Sequence, residues 1–548
     1  MKAKHIWMIL LLIIVLALVL RLWQLGNIPP SPDWDEVALG YNAYSIIQTG
    51  RDEFGKFLPV VLRSFDDYKP ALYAYLAIPS ILIFGLTTFA VRLPSAVFGI
   101  ISVLATFFLV RELFKEYKFK DYLALISSFL LSISPWSIQF SRVGFESNVG
   151  GALNILMALF FVKGLKRPWL LLLSAVFAGL SIYVYQSEKV FTPLLALALV
   201  LIFRKALFSL NKRYIFAAIT VGIIVVAPMF LFILNNRAAL LRVTGTSVFS
   251  AQTEILKPAI VKLERDRANN DQLGLIFDNR RFVYAKSIIS GYISHFSFNW
   301  LFIIGDISRH HAPNMGLLYL FELPFLLLGI YYLLFGEFDR KTKLLIFGWL
   351  LIAPIPASIT TGVPHAVRTL NFLPTFQILS AVGLIFAFVY INKYKTVKYV
   401  AYLIFAVIFT FNFSYYLNQY FVQLNYYDSA DWQYGYREAT DEVKRIGYKY
   451  DKIVVSDSTP MDKSYMFFLF YLKYPPSDYQ KIGQYSSGGF TSHHSFDKYE
   501  FRQVDWDKER NDKNILYLGP SFEIPKGANI LKTIYNLDGS VAIRIAVK

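Results

Sequence analysis

Asp33-Trp34-Asp35-Glu36 packs three carboxylates into four residues just beyond the first apolar run of the chain, Ile6 to Leu22. Ionised side chains are expensive next to lipid, roughly 2.5–3.5 kcal/mol at a helix centre on insertion scales, so acids kept at the mouth of an apolar segment need a partner or a chemical task. About thirty residues further on stands Lys69-Pro70, and Arg92-Leu93-Pro94-Ser95 lies at the start of the next long apolar run. Cations near the acids suit a site that binds an anionic substrate at a membrane surface. Arg142 with Glu146, and His365 with Arg368, repeat the pairing of polar types at the ends of later apolar runs.

The elements that must hold these residues follow from composition. The chain has 548 residues, 55% of them hydrophobic, 17% aromatic and 17% charged, with a mean hydropathy of +0.43. That is too apolar for an ordinary soluble enzyme and defines a polytopic membrane protein. The net charge of +17 is then explained by basic cytoplasmic loops and anionic lipid, and nucleic acid is not an expected partner. With no cysteine, the chain has no disulfide, thiol nucleophile or thiolate metal site. The first segment continues into Arg21-Leu22-Trp23 without a small-residue cleavage pattern, so it is expected to remain as an uncleaved span.

Apolar runs near the twenty residues needed to cross a bilayer occur at about 6–22, 89–110, 121–139, 149–163, 169–185, 190–204, 214–234, 315–335, 343–360, 370–391 and 398–420. Eleven spans are expected. Lys2 and Lys4, Lys115, Lys118 and Lys120, Lys163, Lys166 and Arg167, Lys205, Lys212 and Arg213, Arg340, Lys341 and Lys343, and Lys393, Lys395 and Lys398 all fall in alternate loops. The positive-inside rule makes that side and the N-terminus cytoplasmic and the C-terminus external, in a plasma (inner) membrane. The run from Ala71 to Gly85 is short and would invert every later loop; it reads as an interfacial or re-entrant helix. The other loops carry mixed charge, including Asp66 in the first, Arg237, Arg242, Asp306, Arg309, His310 and His311 in a long loop at about 235–314, and His365 and Arg368 in the last. The chemically active face is therefore the outer one.

From about Tyr426 the hydrophobic runs shorten to strand length, as in Lys452-Ile453-Val454-Val455, Ile515-Leu516-Tyr517-Leu518 and Val541-Ala542-Ile543-Arg544-Ile545, with a helix-like stretch from Trp432 to Ile446 ahead of them. The expected organisation is a transmembrane domain over 1–425, with outer loops at 23–88 and 235–314, and a soluble extracytoplasmic α/β domain over 426–548.

Asp35-Glu36 opening the first outer loop, Tyr68-Lys69-Pro70-Ala71-Leu72-Tyr73 closing it, and Phe84-Gly85 followed by Val91-Arg92-Leu93-Pro94-Ser95 resemble the lipid-linked sugar transferases of the GT-C fold. The nearest resemblance is to the lipid A aminoarabinose transferases and the protein O-mannosyltransferases, and it is specific over about residues 30–115. It implies a polytopic helical GT-C-like fold that takes a sugar from a polyprenyl phosphate carrier and passes it to a lipid, protein or polysaccharide acceptor at the outer membrane face. It also implies Asp35 as the catalytic acid, Lys69 as the phosphate-contacting lysine and Glu146 as a second acid. Two departures stand out: the family's lysine is often followed by two prolines where Pro70 stands alone, and Tyr68 occupies the place of an acid that helps bind a metal in some relatives. No cofactor is implied with certainty, and a divalent metal stays open.

The chemistry is coherent on its own terms. Sugar transfer from a phosphate needs a base for the acceptor's proton and positioned cations for the departing phosphate. Asp35 suits the first task, with Glu36 and Glu146 as further acids, and Lys69, Arg92, Arg142, His365 and Arg368 are the candidate phosphate contacts. Each has a plainer reading. Glu36 at a helix start is also a cap, Lys69 also a snorkelling residue, Arg92 an interface anchor, and Arg142 with Glu146 an (i, i+4) pair. Adjacent histidines 310 and 311 cannot easily face one ion from a helix. Two other functions use similar residues: a transporter or flippase of lipid-linked sugars, for which no inverted repeat or broken midplane helix is evident, and a non-catalytic surface-assembly protein.

Overall fold

The computed structural model describes residues 2–65, 67–236, 245–250, 252–482, 494–509, 512 and 514–548. Asp66, Arg237, Arg242 and His493 lie outside the described residues. The first half of the chain is helical: α1 (Ala3–Leu22), α2 (Trp34–Thr49), α3 (Leu72–Phe84), α4 (Thr88–Leu113), α5 (Lys120–Ile133), α6 (Pro135–Ser141), α7 (Glu146–Gly164), α8 (Leu170–Ser181), α9 (Glu188–Phe208) and α10 (Lys212–Asn235). All eleven apolar runs fall on helices. Seven are long and apolar enough to cross a membrane, namely α1, α4, α7, α9, α10, Leu370–Ile391 and Val397–Tyr427, and α5 with α6 makes an eighth if the pair, bent by 58°, is one span. The other three expected spans fold as α8, Glu322–Phe335 and Arg340–Ile352, of 12, 14 and 13 residues. At about 1.5 Å per residue these cover roughly 20 Å, less than the ~30 Å hydrocarbon core. Among the described residues, length and composition thus support seven or eight of the eleven expected spans. The run from Ala71 to Gly85 is the 13-residue helix α3, also short of a full span.

The described residues divide into two compact units. The first comprises Met1–Leu18, Gly99–Ile138 and Ser147–Ser414, and the second Val19–Phe98, Gln139–Glu146 and Tyr415–Lys548. In the first, the helices Glu322–Phe335 and Thr375–Ile391 cross backbone to backbone. A Cβ on Gly329 would lie 1.8 Å from the Leu379 carbonyl oxygen, and one on Gly383 1.9 Å from that of Phe325. Small residues let helices approach this closely where lipid gives no hydrophobic drive between them.

In the second unit, Pro94 inside α4 cannot donate to the Ala90 carbonyl. Ser80 Oγ of α3 donates to that oxygen at 2.6 Å, and Tyr73 Oη donates to the Val91 carbonyl at 2.8 Å. The break in α4 is thereby what fastens α3 to it. Two strands, β1 (Val61–Ser64) and β2 (Asp67–Pro70), form an antiparallel hairpin with Leu62 opposite Lys69. The C-terminal part builds a six-stranded sheet from β3 (Lys452–Val455), β4 (His494–Phe496), β5 (Tyr499–Phe501), β6 (Ile515–Gly519), β7 (Asn529–Tyr535) and β8 (Val541–Val547), ordered β4-β5-β3-β6-β8-β7. Pairing is parallel for β3 with β5 and β6, and antiparallel elsewhere. The three strands expected from sequence are β3, β6 and β8. The helix Ser464–Leu472, apolar nearly throughout, is buried and packs on α2, where a Cβ on Gly40 would stand 2.8 Å from the Phe470 ring.

Candidate functional site

The acidic cluster separates into two roles at the start of α2. Asp33 is the N-cap: its side chain accepts from the Glu36 amide at 2.9 Å, and Glu36 Oε2 accepts from the Asp33 amide at 3.1 Å, closing a capping box. Glu36 is fully buried and also accepts from both Nε (2.8 Å) and Nη2 (3.0 Å) of Arg92 and from the Gly144 amide (2.8 Å). Asp35 sits between these two in the first turn, where the helix N-terminus favours a carboxylate. It forms an ion pair with Lys69 Nζ instead. The Asp35 side chain is 27% exposed and that of Lys69 7%, so the acid is the accessible member of the pair.

Arg92 and Arg142, expected as phosphate contacts, both donate to backbone carbonyls in this geometry. Arg92 is fully buried and, besides Glu36, donates to the carbonyls of Leu25 (3.1 Å), Pro29 (2.8 Å) and Ser31 (2.7 Å). Arg142, also fully buried, donates to the carbonyls of Leu20 (2.9 Å), Trp23 (2.7 Å) and Ile28 (3.1 Å). Together they satisfy the backbone of the turn that links α1 to α2, where no ladder partner exists. Both oxygens of Glu36, expected as a further acid of the site, are thus engaged by the buried guanidinium of Arg92. Nor do Arg142 and Glu146 form a helix pair, because Arg142 lies in the turn between α6 and α7 while Glu146 opens α7. Glu146 itself is buried.

Three residues near the pair were not singled out from the sequence. Phe65, at the hairpin turn with φ of +52°, presents its ring centroid 5.2 Å from Lys69 Nζ and 5.9 Å from Lys463 Nζ. Lys463 comes from the loop before Ser464–Leu472, so the C-terminal part brings a second ammonium to the β1–β2 hairpin. Glu53 is buried, pairs with Asn42 through Nδ2 to Oε1 (3.0 Å) and its own amide to Oδ1 (3.1 Å), and has its carboxyl pushed up to about 8 by burial, with Asn42 opposing. No motif in the sequence joins residues 53, 65 and 463; only the fold does.

His365 and Arg368 belong to the first unit. Arg368 donates through Nη1 to Thr360 Oγ1 (2.5 Å) and the Thr361 carbonyl (2.7 Å) and lines a cavity of about 130 Å³ with Tyr185, Ser187 and Thr246. His365 sits beside His310, their ring centroids 5.1 Å apart, and His310 Nδ1 lies 3.0 Å from Asp306 Oδ2. Donor atoms of Asp306, His310 and His365 all lie within 4.8 Å of one another. His311 faces the carbonyl oxygens of Ala312 and Asp306 instead, as adjacency with His310 requires.

A multi-pass helical bundle, a hairpin whose lysine meets an acid at the start of α2, and a C-terminal mixed sheet make up the architecture, which has the GT-C fold. The fold is that of ArnT from Cupriavidus metallidurans in the apo state, at a TM-score of 0.54 and 12% identity over 100% of this chain and 98% of that one. The chain is also similar to the oligosaccharyltransferase AglB from Archaeoglobus fulgidus in complex with an inhibitory peptide and a dolichol-phosphate, at 13% identity and a TM-score of 0.49 over 86% of this chain; it spans 64% of that chain's length. The family model described as dolichyl-phosphate-mannose-protein mannosyltransferase matches residues 68–232. No curated protein matches.

Proposed function

We propose that the chain is a membrane glycosyltransferase that moves a sugar from a polyprenyl phosphate carrier to an acceptor at the outer face of the membrane. The observation that carries this reading is the Asp35–Lys69 pair on the first outer loop. It is supported by the ArnT-like fold and by a mannosyltransferase family match that begins beside Lys69. In the reaction the acceptor's hydroxyl oxygen bonds to the anomeric carbon while the bond from that carbon to the phosphate oxygen breaks. The bonding electrons leave with the phosphate, which stays on its lipid, and Asp35 takes the acceptor's proton. The donor carries its own leaving group, so neither ATP nor a soluble nucleotide sugar is required.

The ion pair adds a step to this mechanism. A carrier phosphate competes with Asp35 for the Lys69 ammonium, and charge-assisted contacts of this kind are worth about 1.5–3 kcal/mol. Donor binding thus releases the base. Lys463 adds positive charge beside the Phe65 ring. Residues 1–425 form the transmembrane catalytic domain in this reading, and 426–548 an extracytoplasmic α/β domain, with the N-terminus in the cytoplasm.

The deciding experiment is acceptor-dependent consumption of a polyprenyl-phosphate sugar by the purified protein in detergent or nanodiscs. A transporter would move that lipid without consuming it, and an assembly protein would do neither. Lys69→Ala is expected to weaken binding of a polyprenyl phosphate by roughly ten- to a hundredfold; unchanged affinity removes Lys69 from the site. The orientation is checked by introduced cysteines, read cleanly because the chain has none of its own. Lys526→Cys should react with an impermeant maleimide in intact cells and Lys118→Cys only after permeabilisation. The reverse pattern would place the acidic loop on the wrong side for this chemistry.

A further inference from the structure

We infer that Asp306, His310 and His365 form a binding site for one first-row divalent cation of the zinc class, within the first unit and independent of the Asp35–Lys69 pair. The donor set is the first argument. Two imidazoles and a carboxylate make a zinc-type ligand set that leaves a coordination position for solvent or an anion. Their donor atoms lie within 4.8 Å of one another. Zinc at about 2.0–2.1 Å from each ligand sets tetrahedral donors some 3.4 Å apart, so the widest pair closes by roughly an ångström, which rotation of a ring supplies.

The second argument is an unmet valence. Among the described residues, His365 Nδ1 is one of the buried polar atoms without a hydrogen-bond partner, and a cation would satisfy it. The other members are already fixed for ligation. Asp306 is held by the Ile307 amide at Oδ1 (2.9 Å) and the Ala366 amide at Oδ2 (2.5 Å). The His365 amide donates to His295 Nε2 at 3.1 Å, while His295 Nδ1 faces the Gly291 carbonyl at 2.7 Å. His295 therefore supports the backbone of a ligand and is not one itself, and contacts of this kind orient the groups that hold a metal.

A metal here would tie the segment 306–310 to the loop before Thr375–Ile391, which no disulfide can do in this chain. The test uses the full-length, tag-free protein in detergent, stripped with a chelator and titrated with Zn²⁺ alone. One equivalent should be retained after dialysis, with a rise in Tm. The X-ray absorption edge of that sample should report two imidazole ligands out of the seven histidines in the chain. Asp306→Asn and His365→Ala should each lose the equivalent, and His311→Ala should keep it. No retained zinc in the wild type, a spectrum without two imidazoles, or undiminished retention in both ligand variants would overturn the site. The wild-type spectrum decides the matter even if a variant fails to fold. Sugar transfer need not change in any arm, so the outcome is separable from the glycosyltransferase reading.

Discussion

Asp35→Asn is expected to lower sugar transfer by about 10²–10⁴-fold while leaving the protein folded and able to bind its carrier. The magnitude is that of a lost general base. Asparagine keeps the shape and position of the side chain at the second residue of α2, yet its amide cannot accept the acceptor's proton. Some loss of Tm is expected because the buried Lys69 loses a charged partner, but the fold should hold, since Asp35 is partly exposed and the asparagine carbonyl can still accept from the ammonium. The capping box that starts α2 belongs to Asp33 and Glu36 and is untouched. Carrier affinity should hold or rise, since Lys69 no longer has a carboxylate competing with phosphate for its ammonium. The measurement is paired: transfer from the lipid carrier, and Tm with and without carrier. Wild-type turnover in Asp35→Asn would refute the base and leave Glu146 as the next acid to test, because Glu36 is already committed to Arg92.

What could be read in the sequence was the part governed by local pattern. Apolar runs of spanning length, strands such as β3, β6 and β8 and the acidic helix start all depend on neighbours within about twenty residues, and all three emerged from periodicity and composition. The helices of 12 to 14 residues are shorter than the apolar runs that contain them, because a run continues past the point where its backbone stops being helical, as at Ile182 after α8 or before Glu322. What could not be read was tertiary. Asp35 and Lys69 were paired by type, but nothing in the local sequence distinguishes Lys69, which meets the acid, from Arg92, which is consumed by carbonyls 60-odd residues away. Glu188 is similar. The acid that opens α9, it accepts from Asn154 (2.6 Å) and Asn371 (2.8 Å), which stand on other apolar segments. Lys463 reaches Phe65 only because Ser464–Leu472 packs on α2.

Arg92 gives the second large effect, and it is one of stability. Arg92→Ala removes a buried guanidinium that meets both oxygens of Glu36 and three backbone carbonyls. The partner carboxylate is left buried and uncompensated. Breaking one side of such a pair typically costs about 3–5 kcal/mol, and the three carbonyls that lose a donor add to it. A substantial fall in apparent Tm and in yield is therefore expected. Arg92→Lys should recover little, because a single ammonium cannot reproduce a planar fork that spans Leu25, Pro29, Ser31 and Glu36 together. Glu36→Gln should be milder, since it keeps the shape and removes the charge from one partner only. The contrast with Lys69 makes the assignment testable from both sides. If Arg92 were a phosphate contact, Arg92→Ala would keep its Tm and lose affinity for polyprenyl phosphate, as Lys69→Ala is expected to do. A strut behaves the opposite way: it loses Tm first, and whatever protein remains folded binds carrier with near wild-type affinity.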